Sequence, residues 1–208
     1  MTRSCVAIVL AGGRSRRFGS DKLDARIDGS TLLDLVVGGL PPDAEVIVVG
    51  PPRPTSTAVR FVREDPPGGG PAAALVAGLI EGLRGPASVF VTVPGDAPGS
   101  GHAVTALLVA LRDRAGDAVV ATDDRGVEQP LQLALSRTVA QSLVNLAGPT
   151  GGAGQSARAL LAQLDPPAAP VLVVPVALYD IDTPDDLACW LGRDQLPQRS
   201  ALNSGRCP

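Results

Sequence analysis

Aromatic side chains are nearly absent: Phe, Tyr and Trp together make up 2% of the 208 residues. A core of ordinary size must then be assembled from Val, Leu, Ile and Ala. That palette suits buried parallel strands beneath Ala/Leu-rich helices. Cysteine is scarce as well. The three present (Cys5, Cys189 and Cys207) are an odd number and form no CxxC pair. This speaks against a disulfide framework or a zinc site, and for a reducing compartment. Positive charge is not in excess, since the net charge is −3 and the pI about 5.1. The chain therefore lacks the basic footprint of a nucleic-acid partner. The apolar run that starts at Cys5 is too short for a membrane span, and no small-residue cleavage site follows it. It reads as a first strand, and the protein as cytoplasmic with no membrane partner. The single histidine, His102, opens a helix and reads as an exposed polar residue. Ser136 and Ser156 have no histidine partner in the pattern, which excludes support for a Ser-His-Asp hydrolase.

What is present is a globular share of hydrophobic residues, 45%, with 24 Gly and 20 Pro gathered between the apolar runs. Cys5–Leu10 (CVAIVL) has the continuous β-branched character of a central parallel strand. Further strands are predicted over Glu45–Val49, Val59–Val62, Ser88–Val93, Asp117–Thr122, Leu131–Leu135 and Val171–Val174. Helices are predicted from an N-cap at Ser30 to about Leu40, and over Pro71–Leu83, Gly101–Arg114, Arg137–Ala147, Ser156–Leu164 and Pro184–Leu191. This alternation implies an α/β fold in one domain, residues 1–191, followed by a polar tail, residues 192–208. The expected architecture is a Rossmann-like three-layer α/β/α sandwich with a mostly parallel sheet. Ligands bind such sheets at the carboxyl ends of the strands, so the loops after Leu10, Val62, Val93 and Leu178 are where chemistry is expected.

The first of these loops reads LAGGRSRRFGSDK from Leu10 to Lys22. Gly12 and Gly13 permit close backbone approach to a ligand, and successive backbone N–H groups there can form an anion-binding nest. Arg14, Arg16, Arg17 and Lys22 add cations, so phosphate is the expected guest. The spacing is neither the Walker GxxxxGK[ST] nor the dinucleotide GxGxxG. On local chemistry alone the loop also fits a tight turn with a solvated basic patch.

The ordered motif LAGGxSxRxGxDK resembles the N-terminal signature of the MobA-like nucleotidyltransferases. That group includes molybdenum cofactor guanylyltransferases and the MocA cytidylyltransferases, with a fold like that of nucleotide-diphospho-sugar transferases. The resemblance implies that the backbone of Leu10, Ala11, Gly12 and Gly13 holds base and phosphates, and that Arg17 and Lys22 contact the triphosphate. Phe18 stands where the family often has Met. In DPPGGGPAAAL, Gly70 and Pro71 match the family's GP at a helix start, and Asp65 is the candidate to read the base edge. The same segment also reads as a flexible loop before a proline-started helix. In VTVPGDAP, Pro94, Asp96 and Pro98 match a PxDxP-like motif, and Asp96 at a strand's carboxyl end suits Mg²⁺ against phosphate oxygens. In YDIDTPDDL, Asp182 is a candidate second metal ligand, although Asp182 or Thr183 also suits a helix cap before Pro184. Gln129-Pro130-Leu131 resembles a segment bordering the family's acceptor pocket.

The resemblance implies an enzyme that uses Mg²⁺ to move a nucleoside monophosphate, GMP from GTP foremost, onto a phosphorylated acceptor such as molybdopterin. Arg17, Lys22 and Asp96 would carry the reaction, and molybdoenzymes or other cofactor-biosynthesis proteins would be its partners. Asp180 and Asp182 are more common in the MocA-like branch, which uses CTP. A sugar-phosphate nucleotidyltransferase and a catalytically idle nucleotide-binding or partner-binding protein are the other readings. Mg²⁺-dependent pyrophosphate release separates the enzymes from the idle binder.

Overall fold

The computed structural model describes residues 4–13, 18–19, 21–113 and 117–192. Its strands are β1 (Cys5–Leu10), β2 (Arg26–Ile27), β3 (Ser30–Thr31), β4 (Glu45–Val49), β5 (Arg60–Val62), β6 (Val89–Pro94), β7 (Ala118–Thr122), β8 (Glu128–Ser136) and β9 (Ala169–Leu172). Its helices are α1 (Leu32–Gly38), α2 (Pro71–Leu83), α3 (Ser100–Asp113), α4 (Arg137–Leu146), α5 (Ala157–Leu161) and α6 (Pro184–Gly192). The main sheet runs β5-β4-β1-β6-β8-β7-β9. All of its pairings are parallel except those of β8, which lies antiparallel between β6 and β7. The predicted mostly parallel α/β sheet is present.

The side-chain period of two along β1 sorts the core into two layers. Ala7 and Val9 face a cluster with Leu32, Leu33, Val36, Val104, Leu107 and Trp190, contributed by α1, α3 and α6. Val6, Ile8 and Leu10 face the other cluster, with Leu75, Leu79, Leu143 and Leu160 from α2, α4 and α5. Aliphatic side chains carry nearly all of this, as the shortage of aromatics required. Phe90 is fully buried within the second layer.

Several boundaries differ from expectation for identifiable reasons. Thr31, not Ser30, caps α1. Its hydroxyl accepts the Asp34 N–H at 3.1 Å and donates to Asp34 Oδ2 at 2.7 Å. Both residues are of capping type, but only Thr31 has an acid three positions on, which closes the reciprocal pair. Ser30 instead pairs with Ile27 in a two-stranded ribbon. The strand expected at Leu131 begins at Glu128, because residues 123–127 form a tight turn that pairs β7 with β8 directly. Asp123 Oδ1 accepts the N–H groups of Arg125 and Val127 at 2.9 and 2.7 Å, an Asx-type closure.

Cys5 is a free thiol, and burial followed by the charge of Asp43 pushes it up to about 11. Cys189 is disulfide-bonded, a single cross-link in a chain whose cysteine count speaks against a disulfide framework. An odd count leaves room for one pair, and sequence spacing does not say which cysteines meet. The polar tail lies outside the described residues beyond Gly192. Among the described residues no helix is long and apolar enough to cross a membrane.

Candidate active site

The strand order places a reversal beside β1. The chain moves outward from β1 to β4 and β5, then returns to the other side of β1 with β6. The carboxyl ends of β1 and β6 therefore flank a topological switch point, the usual crevice for ligands in open α/β sheets. Backbone contacts fix this rim. The Gly95 N–H donates to Leu10 O at 2.9 Å, and the Ala11 N–H donates to Val49 O at 2.9 Å. A Cβ on Gly50 would stand 2.6 Å from Ala11 O, so only glycine lets the β4 loop lie against the signature loop. With the Ala11 amide committed to β4, Gly12 and Gly13 present exposed backbone at the rim, Gly13 with a φ of 135°.

Lys22 lies in a single 3₁₀ turn, Lys22–Asp24, capped by Asp21, whose Oδ1 accepts the Leu23 N–H at 3.1 Å. Its Nζ reaches Asp96 Oδ2 at 2.6 Å and Asp182 Oδ1 at 2.6 Å. One ammonium thus joins three segments distant in sequence: the loop after β1, the loop after β6 and the approach to α6. The second and third are also tied by backbone, since the Ile181 N–H donates to Asp96 O at 2.9 Å. Asp182 is available for Lys22 because Thr183 caps α6. The Thr183 hydroxyl accepts the Asp186 N–H at 3.1 Å, while Asp186 Oδ2 accepts the N–H groups of Thr183 and Asp182 at 2.8 and 3.1 Å.

The electrostatics follow from this crowding. Burial alone would lower the Lys22 value, but the charges and hydrogen bonds of Asp96 and Asp182 outweigh it and raise it. Asp180 keeps surface open to water yet is crowded by protein and by the neighbouring carboxylates of Asp96 and Asp182. Burial first, then the charges of Asp96 and Asp182, push Asp180 up to about 7, with Lys22 acting in the opposite direction.

Lys22, Asp96 and Asp182 are therefore brought together. Arg17, with Arg14 and Arg16, lies outside the described residues. Asp65, Gly70 and Pro71 follow β5, which is separated from β1 by β4. Pro71 opens α2 and Gly70 is its N-cap with a φ of 100°. Asp65 is exposed, whereas its neighbour Glu64 is buried, with Oε1 accepting the Gly68 N–H at 2.9 Å. Gln129 is the second residue of β8, and the buried Gln132 on the same strand donates from Nε2 to Ala177 O at 2.9 Å.

Sequence reasoning gave no site role to Asp180, Glu64 or Arg53. Asp180 carried a usable signal, because it is one position from Ile181 and two from Asp182 in an Asp-Ile-Asp run. Glu64 and Arg53 carried none. Arg53 is a single basic residue between prolines, and its partners lie far back in the chain.

For a divalent cation the donor set is suitable. Among the described residues, no group of three or more His, Cys, Asp or Glu side chains forms a ready-made metal cage. Asp96 and Asp182 nonetheless converge hard oxygens on one cationic point. Mg²⁺ commonly takes one or two protein carboxylates and completes its shell with phosphate oxygens and water.

Comparison with known proteins identifies the family and the fold. The family model of the MobA-like NTP transferase domain matches residues 7–175. A molybdenum cofactor guanylyltransferase of Sinorhizobium fredii is 36% identical over 105 residues, which is 49% of this chain and 44% of that protein. The match thus spans less than half the length of that relative. The crystal structure of molybdopterin-guanine dinucleotide biosynthesis protein A from Archaeoglobus fulgidus superposes with a TM-score of 0.70 at 20% identity, covering 91% of this chain and 98% of that one. The 2-C-methyl-D-erythritol 4-phosphate cytidylyltransferase of Thermus thermophilus gives 0.62 at 18% identity, covering 92% and 99%. At these identities the two structures establish a shared fold.

Proposed function

The chain belongs to the MobA-like NTP transferase family, and from that premise we propose that it is a Mg²⁺-dependent nucleotidyltransferase. It moves the nucleoside monophosphate of GTP onto the phosphate of an acceptor such as molybdopterin and releases pyrophosphate. The observation that carries this reading is the Lys22 ammonium held by Asp96 and Asp182 at the switch point. The choice of GTP is supported by the guanylyltransferase relative. A reaction fed by the nucleoside triphosphate pool places the protein in the cytoplasm, with cofactor-biosynthesis proteins or molybdoenzymes as the receivers of its product.

The reaction is an in-line displacement. An acceptor phosphate oxygen forms a bond to the α-phosphorus while the bond to the bridging oxygen of the leaving pyrophosphate breaks, taking its electron pair. Two anions must approach each other, so charge neutralisation is the main task of the site. Mg²⁺ held by Asp96 and Asp182 would supply further neutralisation of the phosphates when bound. The exposed backbone of Gly12 and Gly13 offers the phosphates an N–H nest. Lys22 is a compact cation on a flexible stem, able to trade a carboxylate for a phosphate oxygen. Arg17 is assigned to the same triphosphate, and the segment Asp65–Gly70–Pro71 to the base. No covalent protein intermediate is needed, since positioning and electrostatics suffice.

One observation favours a second reading. The Asp180–Ile181–Asp182 segment at the centre of the cluster is the form seen in MocA-like cytidylyltransferases, which use CTP. Nucleotide selectivity decides between them. Purified protein is incubated with Mg²⁺ and each triphosphate in turn, and thermal shift and pyrophosphate release with molybdopterin are measured. A response confined to GTP supports the proposal, a response confined to CTP moves the protein to the second reading, and no response to any triphosphate overturns both.

A further inference from the structure

Lys22 is the only lysine in a chain with 18 basic residues. A lysine stem has more freedom than the rigid fork of arginine, so its aim depends on how firmly its backbone is held. The turn that carries it is one 3₁₀ turn long, too short to fix itself. The structure shows what fixes it from outside.

Arg53 lies in the loop after β4. Its guanidinium reaches back to the two carboxylates that flank Lys22: Nη2 is 2.9 Å from Asp21 Oδ2, and Nη1 is 3.0 Å from Asp24 Oδ1. The Arg53 side chain is 7% exposed, while those of Asp21 and Asp24 are 46% and 59% exposed. In an ordinary surface pair the arginine is the mobile, solvated partner. Here it is the embedded one, set into the protein with its fork turned outward. The loop that bears it is anchored in turn, since the Ser56 N–H donates to Asp34 Oδ1 at 2.7 Å and Gly50 packs against Ala11. Burying a guanidinium is costly, and a buried ion pair is weak evidence of added stability. Its placement here serves geometry.

We propose that Arg53 is a positioning residue: by gripping Asp21 and Asp24 it fixes the turn between them and so aims the Lys22 ammonium at the point where Asp96 and Asp182 converge. Arg53 acts through Lys22 and touches no substrate. The inference rests on the functional reading above only for its kinetic consequence.

The single lysine makes a direct test possible. In protein labelled with ¹⁵N-lysine, the side-chain ammonium gives one resonance. Arg53→Gln is expected to shift or broaden it, because the ammonium loses its fixed partners. Pyrophosphate release by the same variant is expected to fall by roughly 10- to 100-fold, the scale of a small misplacement of a reacting group. In a Lys22→Met background the same Arg53 substitution should cost less than about twofold, because its target is already gone. If Arg53→Gln does not fold, Asp24→Asn releases one arm of the clamp from an exposed position and is expected to disturb the resonance in the same direction. An unchanged lysine resonance in either variant overturns the inference, as do losses from Arg53→Gln and Lys22→Met that simply multiply. If the unmodified protein releases no pyrophosphate with any triphosphate, the functional reading fails, and the resonance alone still decides the role of Arg53.

Discussion

The described residues 11–13 and 21–24, which follow β1, and residues 63–70, which follow β5, both lie beyond the carboxyl ends of parallel strands, yet the first set is fastened by charged side chains and the second largely by backbone. In the first, Lys22 grips Asp96 and Asp182, and Arg53 grips Asp21 and Asp24. In the second, the Gly69 N–H donates to Pro66 O at 3.0 Å, the Ala74 N–H to Gly70 O at 3.0 Å, and Gly69 O accepts the Gly154 N–H at 2.9 Å. Among the described residues the one side-chain hydrogen bond there is from the Gly68 N–H to Glu64. The difference matters because a charged contact can be exchanged for another charge, whereas a backbone contact cannot. On the proposed function, a triphosphate entering the first loop would take over the ammonium that Asp96 and Asp182 hold. The second loop, held by backbone, would then keep its shape as a rigid wall.

The largest expected effect breaks the charged side of this comparison. Asp96→Asn keeps the shape of the side chain and removes its charge. Pyrophosphate release should fall by about 100-fold or more, with the melting temperature changed by only a few degrees. Near-normal turnover in a folded variant would remove Asp96 from the reaction.

A middle-sized effect tests the backbone-held side. Gly152 has a φ of 79°, and a Cβ there would lie 3.2 Å from the Ala72 carbonyl carbon at the start of α2. Gly152→Val combines backbone strain with a steric clash. It should destabilise the protein by about 1–3 kcal/mol, read as a lower denaturation midpoint, while turnover of the folded fraction changes little. A large loss of turnover at unchanged stability would mean that the second loop is not the rigid wall inferred here.

The smallest effect is a pH signature of the first loop. Burial alone would raise the Asp21 carboxyl, but the Arg53 hydrogen bond, the Leu23 N–H and the charges of Arg53 and Lys22 outweigh it and hold it below the ordinary range. The unfolded chain then binds that proton more readily than the folded one. The contribution of Asp21 is complete above an unfolded pKa of about 4 and is lost as pH falls through the lower folded value. Because Asp21 is substantially exposed, that contribution is about 1 kcal/mol or less. Thermal melts should show Asp21→Asn slightly below the native protein at pH 7, with the gap closing in acid. A gap that widens in acid would contradict the clamp.

Much of the fold could be read from local pattern. The run CVAIVL marked β1, and Pro71 marked the first residue of α2. The antiparallel direction of β8 was less visible, because an apolar run has no arrow. Only the tight turn at residues 123–127 carried that information. At the site, Asp96 and Lys22 were legible as a strand-end carboxylate and a cation after a double glycine. Asp182 was legible as an alternative to capping, and the capping role went to Thr183 with Asp186. The burial of Glu64 rather than Asp65, and the reach of Arg53, had no local mark.

By itself the sequence determined the alternation of strands and helices, the aliphatic core and the positions of the loops between them. These depend on side-chain period, caps and turn residues within a few positions of one another. Only the tertiary structure decided which charges meet. Lys22 and Asp182 are 160 residues apart, and their contact exists because the strand order brings three loop ends to one edge of the sheet. Coulomb attraction acts on distance in space, and the fold is what converts distance along the chain into it.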